Sequence, residues 1–124
     1  MLSVGVDMIE IARIERAIAR HGDRFYTRFF TPAEQEFCKD RPEQLAGRFV
    51  IKEAVGKALG TGIGDVNWTD IEVVSNGRGK PELVLHNQAE TLAAELGLHE
   101  WSISLSHTAT HAIGFAVAMG KGSK

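Results

Sequence analysis

Two acidic residues and one lysine have side chains suited to holding a metal ion and a phosphate group. Asp7 stands at the end of a short apolar segment, and Glu53 and Lys57 are four residues apart in a long helical segment. At 3.6 residues per turn, Glu53 and Lys57 share one stripe with apolar neighbours. If folding brings Asp7 to Glu53, the two carboxylates supply the oxygen ligands that suit Mg2+, with water and phosphate oxygens completing its coordination.

The same spacing permits a plainer interpretation, an ion pair between Glu53 and Lys57. On a solvated helix such a pair contributes only about 0.2–0.5 kcal/mol. Most of the remaining helix circumference is also apolar, so we expect burial on several sides. Charges in that setting need partners or ligands, and the sequence leaves the ion pair and the ligand site equally open.

Arg48 and Lys52 are two cations at the same i,i+4 spacing. Neighbouring like charges are mildly unfavourable unless an anion lies over them. A phosphate would satisfy both, and so would an acidic neighbour such as Glu10 or Glu43. The helix alone does not decide between these alternatives.

His107 stands at a junction between a strand and a turn. A histidine there is either structural, or a donor to phosphate and a carrier of protons near neutral pH. His111 follows four residues later, which raises the possibility of a metal pair. A β-turn of this length does not place both rings on one side, so the spacing argues against zinc.

The elements that position these residues follow from hydrophobic periodicity and capping signals. The pattern predicts strands at 2–7, 71–74, 82–85, 101–106 and 112–119. It predicts helices at 11–21, from Thr31, at 42–59 and at 87–96, with Thr31 as N-cap and Glu34 at the third helical position of a capping box. The order contains hairpins rather than repeated βαβ units. We therefore predict an α+β fold, a small single domain whose mainly antiparallel sheet packs on a long central helix.

Length and composition limit the classes of protein. The chain has 124 residues with 44% hydrophobic content, enough for one core, and we assign the domain to 1–119 and a disordered tail to 120–124. No apolar run approaches the ~20 residues needed to span a bilayer, so we expect a soluble, cytoplasmic protein without a membrane partner. The single cysteine, Cys38, cannot form an internal disulfide.

The charge is small overall but unevenly distributed. A net charge of -2 and a pI of about 6.2 argue against nucleic-acid binding through bulk charge. Five arginines nevertheless fall within sixteen positions, offset by Glu15 and Asp23: Arg13, Arg16, Arg20, Arg24 and Arg28. This part of the chain is suited to attracting an acidic partner.

Three segments, 5–14, 48–62 and 104–108, together resemble the three motifs of the phosphopantetheinyl transferases, most closely the acyl carrier protein synthase type. The resemblance runs from Val4 to about Val117. Small departures occur at Val50, Ile51 and Gly56 and concern helix packing. The resemblance implies the 4'-phosphopantetheinyl transferase fold and a Mg2+-dependent enzyme.

The implied reaction belongs to fatty acid biosynthesis. A serine hydroxyl of acyl carrier protein attacks the β-phosphorus of coenzyme A, and adenosine 3',5'-bisphosphate leaves. The resemblance assigns Asp7 and Glu53 as metal ligands and Glu53, Lys57 and His107 to catalysis, with Glu53 or a metal-bound water accepting the serine proton. It assigns Arg48, Lys57, Gly60, Lys80, His107 and Thr108 to the coenzyme A site, with Arg48 and Lys80 at the 3'-phosphate, and Arg13, Arg16 and Arg20 to the carrier protein.

The resemblance also implies a homotrimer with sites at the subunit interfaces. Two other classes share some of these features. A metal-dependent nucleotide hydrolase would use the same carboxylates but has no need of the arginine helix. A binding module would use the arginine face and would have no use for Mg2+.

Overall fold

The computed structural model describes residues 1–64 and 66–120. Its strands are β1 (Leu2–Glu10), β2 (Ile71–Ser75), β3 (Pro81–Leu85), β4 (Glu100–His107) and β5 (His111–Met119). Its helices are α1 (Ile11–His21), α2 (Asp23–Phe29), α3 (Pro32–Cys38), α4 (Pro42–Ala58) and α5 (Asn87–Glu95), with a 3-10 turn at Trp68–Asp70. Residues 121–124 of the predicted tail lie outside the described ranges.

Two antiparallel sheets form the β layer. The larger sheet has the order β1-β5-β4, and β2 and β3 form a separate hairpin. In the larger sheet Asp7 lies opposite Gly114, which in turn lies opposite Leu105. The antiparallel arrangement and the α+β class predicted from the sequence are confirmed.

The helix α4 crosses the larger sheet in direct backbone contact. A Cβ atom added to Gly5 would overlap the carbonyl oxygen of Ala54, and one added to Gly114 would lie 2.9 Å from the backbone nitrogen of Ile51. These two glycines therefore permit a close approach that other residues would prevent. The contact sets the height of α4 above β1, the strand that carries Asp7.

One predicted strand is longer in the structure, and one helix is absent from the prediction. β1 was expected to end at Asp7, but its pairing with β5 continues to Glu10, which lies opposite His111. Asp7 is therefore inside a strand, where pairing with β5 before and after it restricts its backbone. α2 was not predicted; it begins after Gly22, whose φ of 56° ends α1, and it buries Phe25.

The other boundaries agree with prediction to within two residues. α1 has the predicted bounds, and Thr31 forms the expected capping box with Glu34 at the start of α3. Within the described part of the chain, no helix combines the length and apolar character required to cross a bilayer.

Candidate active site

The side chain of Asp7, in β1, lies next to that of Lys57, in the last turn of α4. The ammonium of Lys57 lies 3.3 Å from Oδ1 of Asp7 and donates a 2.9 Å hydrogen bond to the carbonyl oxygen of Val6. The side chain of Lys57 is 52% exposed and that of Asp7 is 26% exposed. The pair is therefore accessible to a ligand.

Glu53 lies one helical turn before Lys57 and is partly buried. Burial and the nearby carboxylate of Asp7 both raise the pKa of Glu53, while Lys57 opposes the increase. Because this pKa is raised in the folded state, the contribution of Glu53 to stability falls as the pH rises from its ordinary pKa through the raised one. A bound cation would relieve the repulsion between the two carboxylates.

The donor set at this position fits Mg2+. Asp7 and Glu53 offer hard carboxylate oxygens, and the ion commonly binds through one or two carboxylates while substrate phosphates and waters complete its coordination. Within residues 1–64 and 66–120, no three His, Cys, Asp or Glu side chains form a metal-binding cluster. The charge of Asp7 acts on the pKa of Glu53, so the two carboxylates that the sequence singled out lie in one site.

The alternative pairing of Lys57 with Glu53 is wrong. Lys57 makes its ion pair with Asp7 of β1 instead. The expected burial of α4 is confirmed for most of its surface, but Lys57 is on the open side. The fully buried charges of this helix are the other two cations.

Arg48 and Lys52 are held by internal partners rather than by an open anion site. Arg48 is only 3% exposed, and its guanidinium donates to Gln44 and Ser75. Lys52 is completely buried and pairs with Glu34, neither of the acidic neighbours expected from the sequence. Of the two alternatives that the helix left open, an acidic neighbour is the one found at Lys52. The role of Arg48 at the 3'-phosphate stays a prediction.

Arg48 is nevertheless connected to Lys80. Ser75, which accepts from Arg48, lies opposite Pro81 in the β2–β3 hairpin. At the turn of this hairpin the backbone nitrogen of Asn76 donates to the carbonyl oxygen of Lys80. Arg48 therefore supports the hairpin whose turn presents Lys80, and the 3'-phosphate role of Lys80 stays a prediction.

Gly60 lies two residues after the end of α4 and has a φ of 86°. The chain then folds back, so that the nitrogen of Gly62 donates to the carbonyl oxygen of Gly56. A Cβ on Gly56 would lie 2.9 Å from the backbone of Gly62, which explains why this helix tolerates glycine there. The loop places Gly60 three residues beyond Lys57, and its binding role stays a prediction.

His107 and Thr108 lie at the opposite edge of the larger sheet from Asp7. His107 ends β4, and β5 separates that strand from β1 and Asp7. The structure thus does not bring His107 to the carboxylates of its own chain. His107 lies opposite Ala112, and successive residues of a strand alternate faces, so His111 is on the opposite face and a shared metal is excluded.

Two of the three motifs, segments 5–14 and 48–62, thus supply one carboxylate–lysine site on β1 and α4. The sequence model of one protein family, the 4'-phosphopantetheinyl transferase superfamily, matches residues 3–116. The chain belongs to this superfamily.

Relatives within the superfamily cover nearly the whole chain. A holo-(acyl-carrier-protein) synthase of Moorella thermoacetica is 50% identical and spans 99% of this chain and 96% of its own length. A holo-(acyl-carrier-protein) synthase of Herpetosiphon aurantiacus is 46% identical and spans 97% of this chain and 100% of its own length. The crystal structure of Helicobacter pylori holo-(acyl-carrier-protein) synthase in complex with coenzyme A matches this chain with a TM-score of 0.86 and 34% sequence identity. The match covers 94% of this chain and 99% of the Helicobacter pylori chain.

In this member of the superfamily, the arginine face borders an apolar cavity. Arg13, Arg16 and Arg20 are exposed on α1. A cavity of about 360 Å3 lies beside them, with apolar lining from Ile9, Phe25, Phe29 and Phe49 and charged lining from Arg13, Arg24 and Arg28. Ile9 is two residues from Asp7 on the same face of β1, and Phe49 is one turn before Glu53, so the cavity adjoins the site.

Two of these cavity residues, Arg24 and Arg28, were not assigned a site role from the sequence. The arginine run contains both residues, but the sequence predicts no helix at 23–29 and therefore gives no face on which they lie. Glu34 was recognised only as a capping residue. Its ion pair with Lys52 joins residues far apart in sequence, and no local pattern indicates it.

Proposed function

We propose that this chain transfers the 4'-phosphopantetheine group of coenzyme A to a serine of apo acyl carrier protein in a Mg2+-dependent reaction. The observation that supports this proposal most directly is the convergence of Asp7, Glu53 and Lys57 at one accessible site. The relatives named as holo-(acyl-carrier-protein) synthases support acyl carrier protein as the acceptor. Coenzyme A in the related crystal structure agrees with the donor.

The reaction forms a bond between the serine oxygen and the β-phosphorus and breaks the bond from that phosphorus to the bridging oxygen of the pyrophosphate. The electron pair leaves with adenosine 3',5'-bisphosphate. Such a transfer depends mainly on positioning and on neutralising charge. Asp7 and Glu53 would hold Mg2+, which supplies that neutralisation at the phosphates when it is bound.

The side chains of the chain itself contribute further. Lys57 is held by Val6 and Asp7 with its ammonium in the open, so it can offset negative charge on the leaving phosphate without being reorganised. Glu53 or a water bound to the metal is the proposed acceptor of the serine proton. Lys80, His107 and Thr108 remain the proposed nucleotide contacts.

Mass measurement of apo carrier protein after exposure to this chain, coenzyme A and Mg2+ tests the proposal. We expect the carrier to gain the mass of one phosphopantetheine group, and a carrier whose acceptor serine is replaced by alanine to gain nothing. Cleavage of coenzyme A with no change in the carrier would instead support a nucleotide hydrolase. Carrier binding that does not depend on Mg2+, without modification, would support a binding module.

We further propose that the exposed arginines of α1 dock an acidic helix of the carrier protein. Like charges gathered on one face attract such a partner, and the adjoining cavity offers apolar contact beside the site. This arrangement would bring the acceptor serine toward Asp7 and Glu53. Arg13 is central because it belongs to both the exposed face and the cavity.

Replacing Arg13 with glutamate should raise the KM for carrier protein and weaken the salt dependence of that KM, with coenzyme A affinity nearly unchanged. Dissolved salt screens the attraction between Arg13 and an acidic carrier protein, and this attraction is lost when Arg13 becomes glutamate. Lys39→Glu, an equal charge reversal at the exposed end of α3, serves as the control and should leave the carrier KM unchanged. An equal loss of coenzyme A affinity in Arg13→Glu would show that α1 serves the nucleotide instead.

We also propose a homotrimer, supported by the outer face of the larger sheet. On the side away from α4, large apolar residues of β1 face those of β5 in cross-strand pairs: Leu2 with Met119, Val4 with Val117, Val6 with Phe115, and Met8 with Ile113. Seven of the eight are among the exposed large hydrophobic side chains. A continuous apolar face of this kind is typical of a protein interface.

Assembly through this face would also give His107 a role. Because β5 separates His107 from Asp7 within one chain, a neighbouring subunit is the better source of a histidine near the carboxylates. We propose that each site combines Asp7, Glu53 and Lys57 of one subunit with His107 of the next.

The cytoplasmic location of the protein stays a prediction.

Phe115→Asp should dissociate the assembly and reduce transfer strongly, since a charge buried in an apolar interface has no partner. Analytical ultracentrifugation measures the assembly and the carrier assay measures the transfer. Val84→Asp, on exposed β3 outside the apolar face, is the control and should keep both. Full transfer activity by a dissociated Phe115→Asp monomer would contradict the shared site.

A further inference from the structure

Lys52 directs all its hydrogen-bonding capacity into the protein interior. Its ammonium lies 2.8 Å from Oε1 of Glu34, and both side chains are completely buried. It also donates to the carbonyl oxygens of Trp68, at 2.9 Å, and Ile71. An ammonium has three protons to donate, so Lys52 is fully satisfied by three fixed acceptors.

Glu34 is equally constrained. Its Oε1 accepts from the backbone nitrogen of Thr31 at 2.9 Å, and its Oε2 accepts from that of Val73 at 2.8 Å. The ion pair therefore ties α4 to the start of α3, to the 3-10 turn and to β2. Every bond goes to backbone or to the paired side chain, which leaves little freedom for any of these elements to shift.

Lys52 immediately precedes Glu53, and the two side chains leave α4 about 100° apart. Gly5 and Gly114 set the height of α4 above the sheet, but close packing at glycine does not by itself prevent rotation about the helix axis. A rotation of 20° would move a side chain by about 2 Å at the helix surface. Metal ligands tolerate deviations of only a few tenths of an ångström.

We propose that Lys52 and Glu34 are a positioning pair that sets the rotation of α4 and thereby holds Glu53 opposite Asp7. Lys52 is anchored on the β2 and α3 side of the helix, and Glu53 faces β1. The proposal rests on the proposed function in one respect, the use of Asp7 and Glu53 as metal ligands. It adds two residues that do not touch the substrates.

Lys52→Met and Glu34→Gln test the proposal through Mn2+ binding to the protein without coenzyme A, followed by the loss of the free-ion EPR signal. Both variants should bind Mn2+ about ten- to a hundredfold more weakly, the range for losing a residue that supports a metal ligand. In the carrier assay the Mg2+ concentration for half-maximal rate should rise in parallel. kcat at saturating Mg2+ should recover to within a few-fold of wild type.

Leu98→Ala provides the control, because Leu98 is buried outside α4 and is not a hydrogen-bond partner of Lys52 or Glu34. It should lower the thermal midpoint while leaving the Mn2+ affinity unchanged. Unchanged Mn2+ affinity in Lys52→Met, measured well below its own midpoint, would overturn the proposal. If Asp7→Ala also left Mn2+ binding unchanged, the metal-site assignment would fail instead.

The double variant Lys52→Met/Glu34→Leu separates positioning from stability. Apolar replacement of a complete buried ion pair is often tolerated, whereas loss of one partner is not. This variant should therefore recover part of the thermal midpoint lost in Lys52→Met, although the backbone nitrogens of Thr31 and Val73 lose their acceptor. Its Mn2+ affinity should stay low because the anchors of Lys52 are gone. Recovery of Mn2+ affinity together with the midpoint would show that the pair acts only through stability.

Discussion

Asp7→Ala and Glu53→Gln should each abolish transfer while the protein remains folded. Each change removes a carboxylate from a site in which substrate oxygens and water complete the coordination, so the remaining carboxylate cannot replace it. Both residues are partly exposed rather than part of the core, which limits the effect on folding. Transfer is measured by carrier mass, and folding by circular dichroism and thermal midpoint.

The same variants should lose the stabilisation that Mg2+ provides. In the wild type, Mg2+ should raise the thermal midpoint because binding to the folded state shifts the folding equilibrium and relieves the repulsion that raises the pKa of Glu53. Glu82→Gln replaces an exposed carboxylate of β3 and should keep both the activity and the Mg2+ response. Wild-type activity at limiting Mg2+ in either site variant would refute the assignment.

Lys57→Met should reduce kcat by about two to three orders of magnitude, the scale for losing one preorganised electrostatic contact. Binding of coenzyme A should suffer less, since the interaction strengthens as charge builds on the leaving phosphate. The thermal midpoint should change little, because Lys57 is 52% exposed and exposed ion pairs contribute about 0–1 kcal/mol. Midpoint, coenzyme A affinity and kcat are measured on one preparation.

Lys39→Met removes another exposed ammonium, at the end of α3, and should leave kcat unchanged. A lowered midpoint with nearly normal kcat in Lys57→Met would return Lys57 to a structural role, as a partner of Asp7. Equal losses in coenzyme A affinity and kcat/KM with unchanged kcat would mean that Lys57 binds the ground state and the transition state alike.

Elements whose signals are local could be predicted from the sequence. α1 has the predicted bounds because its apolar residues recur at helical spacing and Gly22 ends it. The capping box at Thr31 lies within four residues and was equally evident. β1 was placed too short, since pairing with β5, more than a hundred residues away in sequence, determines how far a strand extends.

The charges of α4 show where local patterns are insufficient. Two i,i+4 pairs occur in this helix, Arg48 with Lys52 and Glu53 with Lys57. The spacing alone does not tell which of these charges are buried. In the fold the first two are buried with internal partners, whereas Lys57 is open and pairs with Asp7. Which side of a helix faces solvent depends on every element that packs around it.

The sequence by itself determined the residue types that carry the chemistry and the order of most elements, because capping and periodicity act over a few residues. Only the tertiary structure decided which charges meet. It brought Asp7 to Lys57 across 50 positions and Glu34 to Val73 across 39. Such contacts depend on glycines that allow β1 and β5 to touch α4, and on burial that forces each enclosed polar group to find a partner.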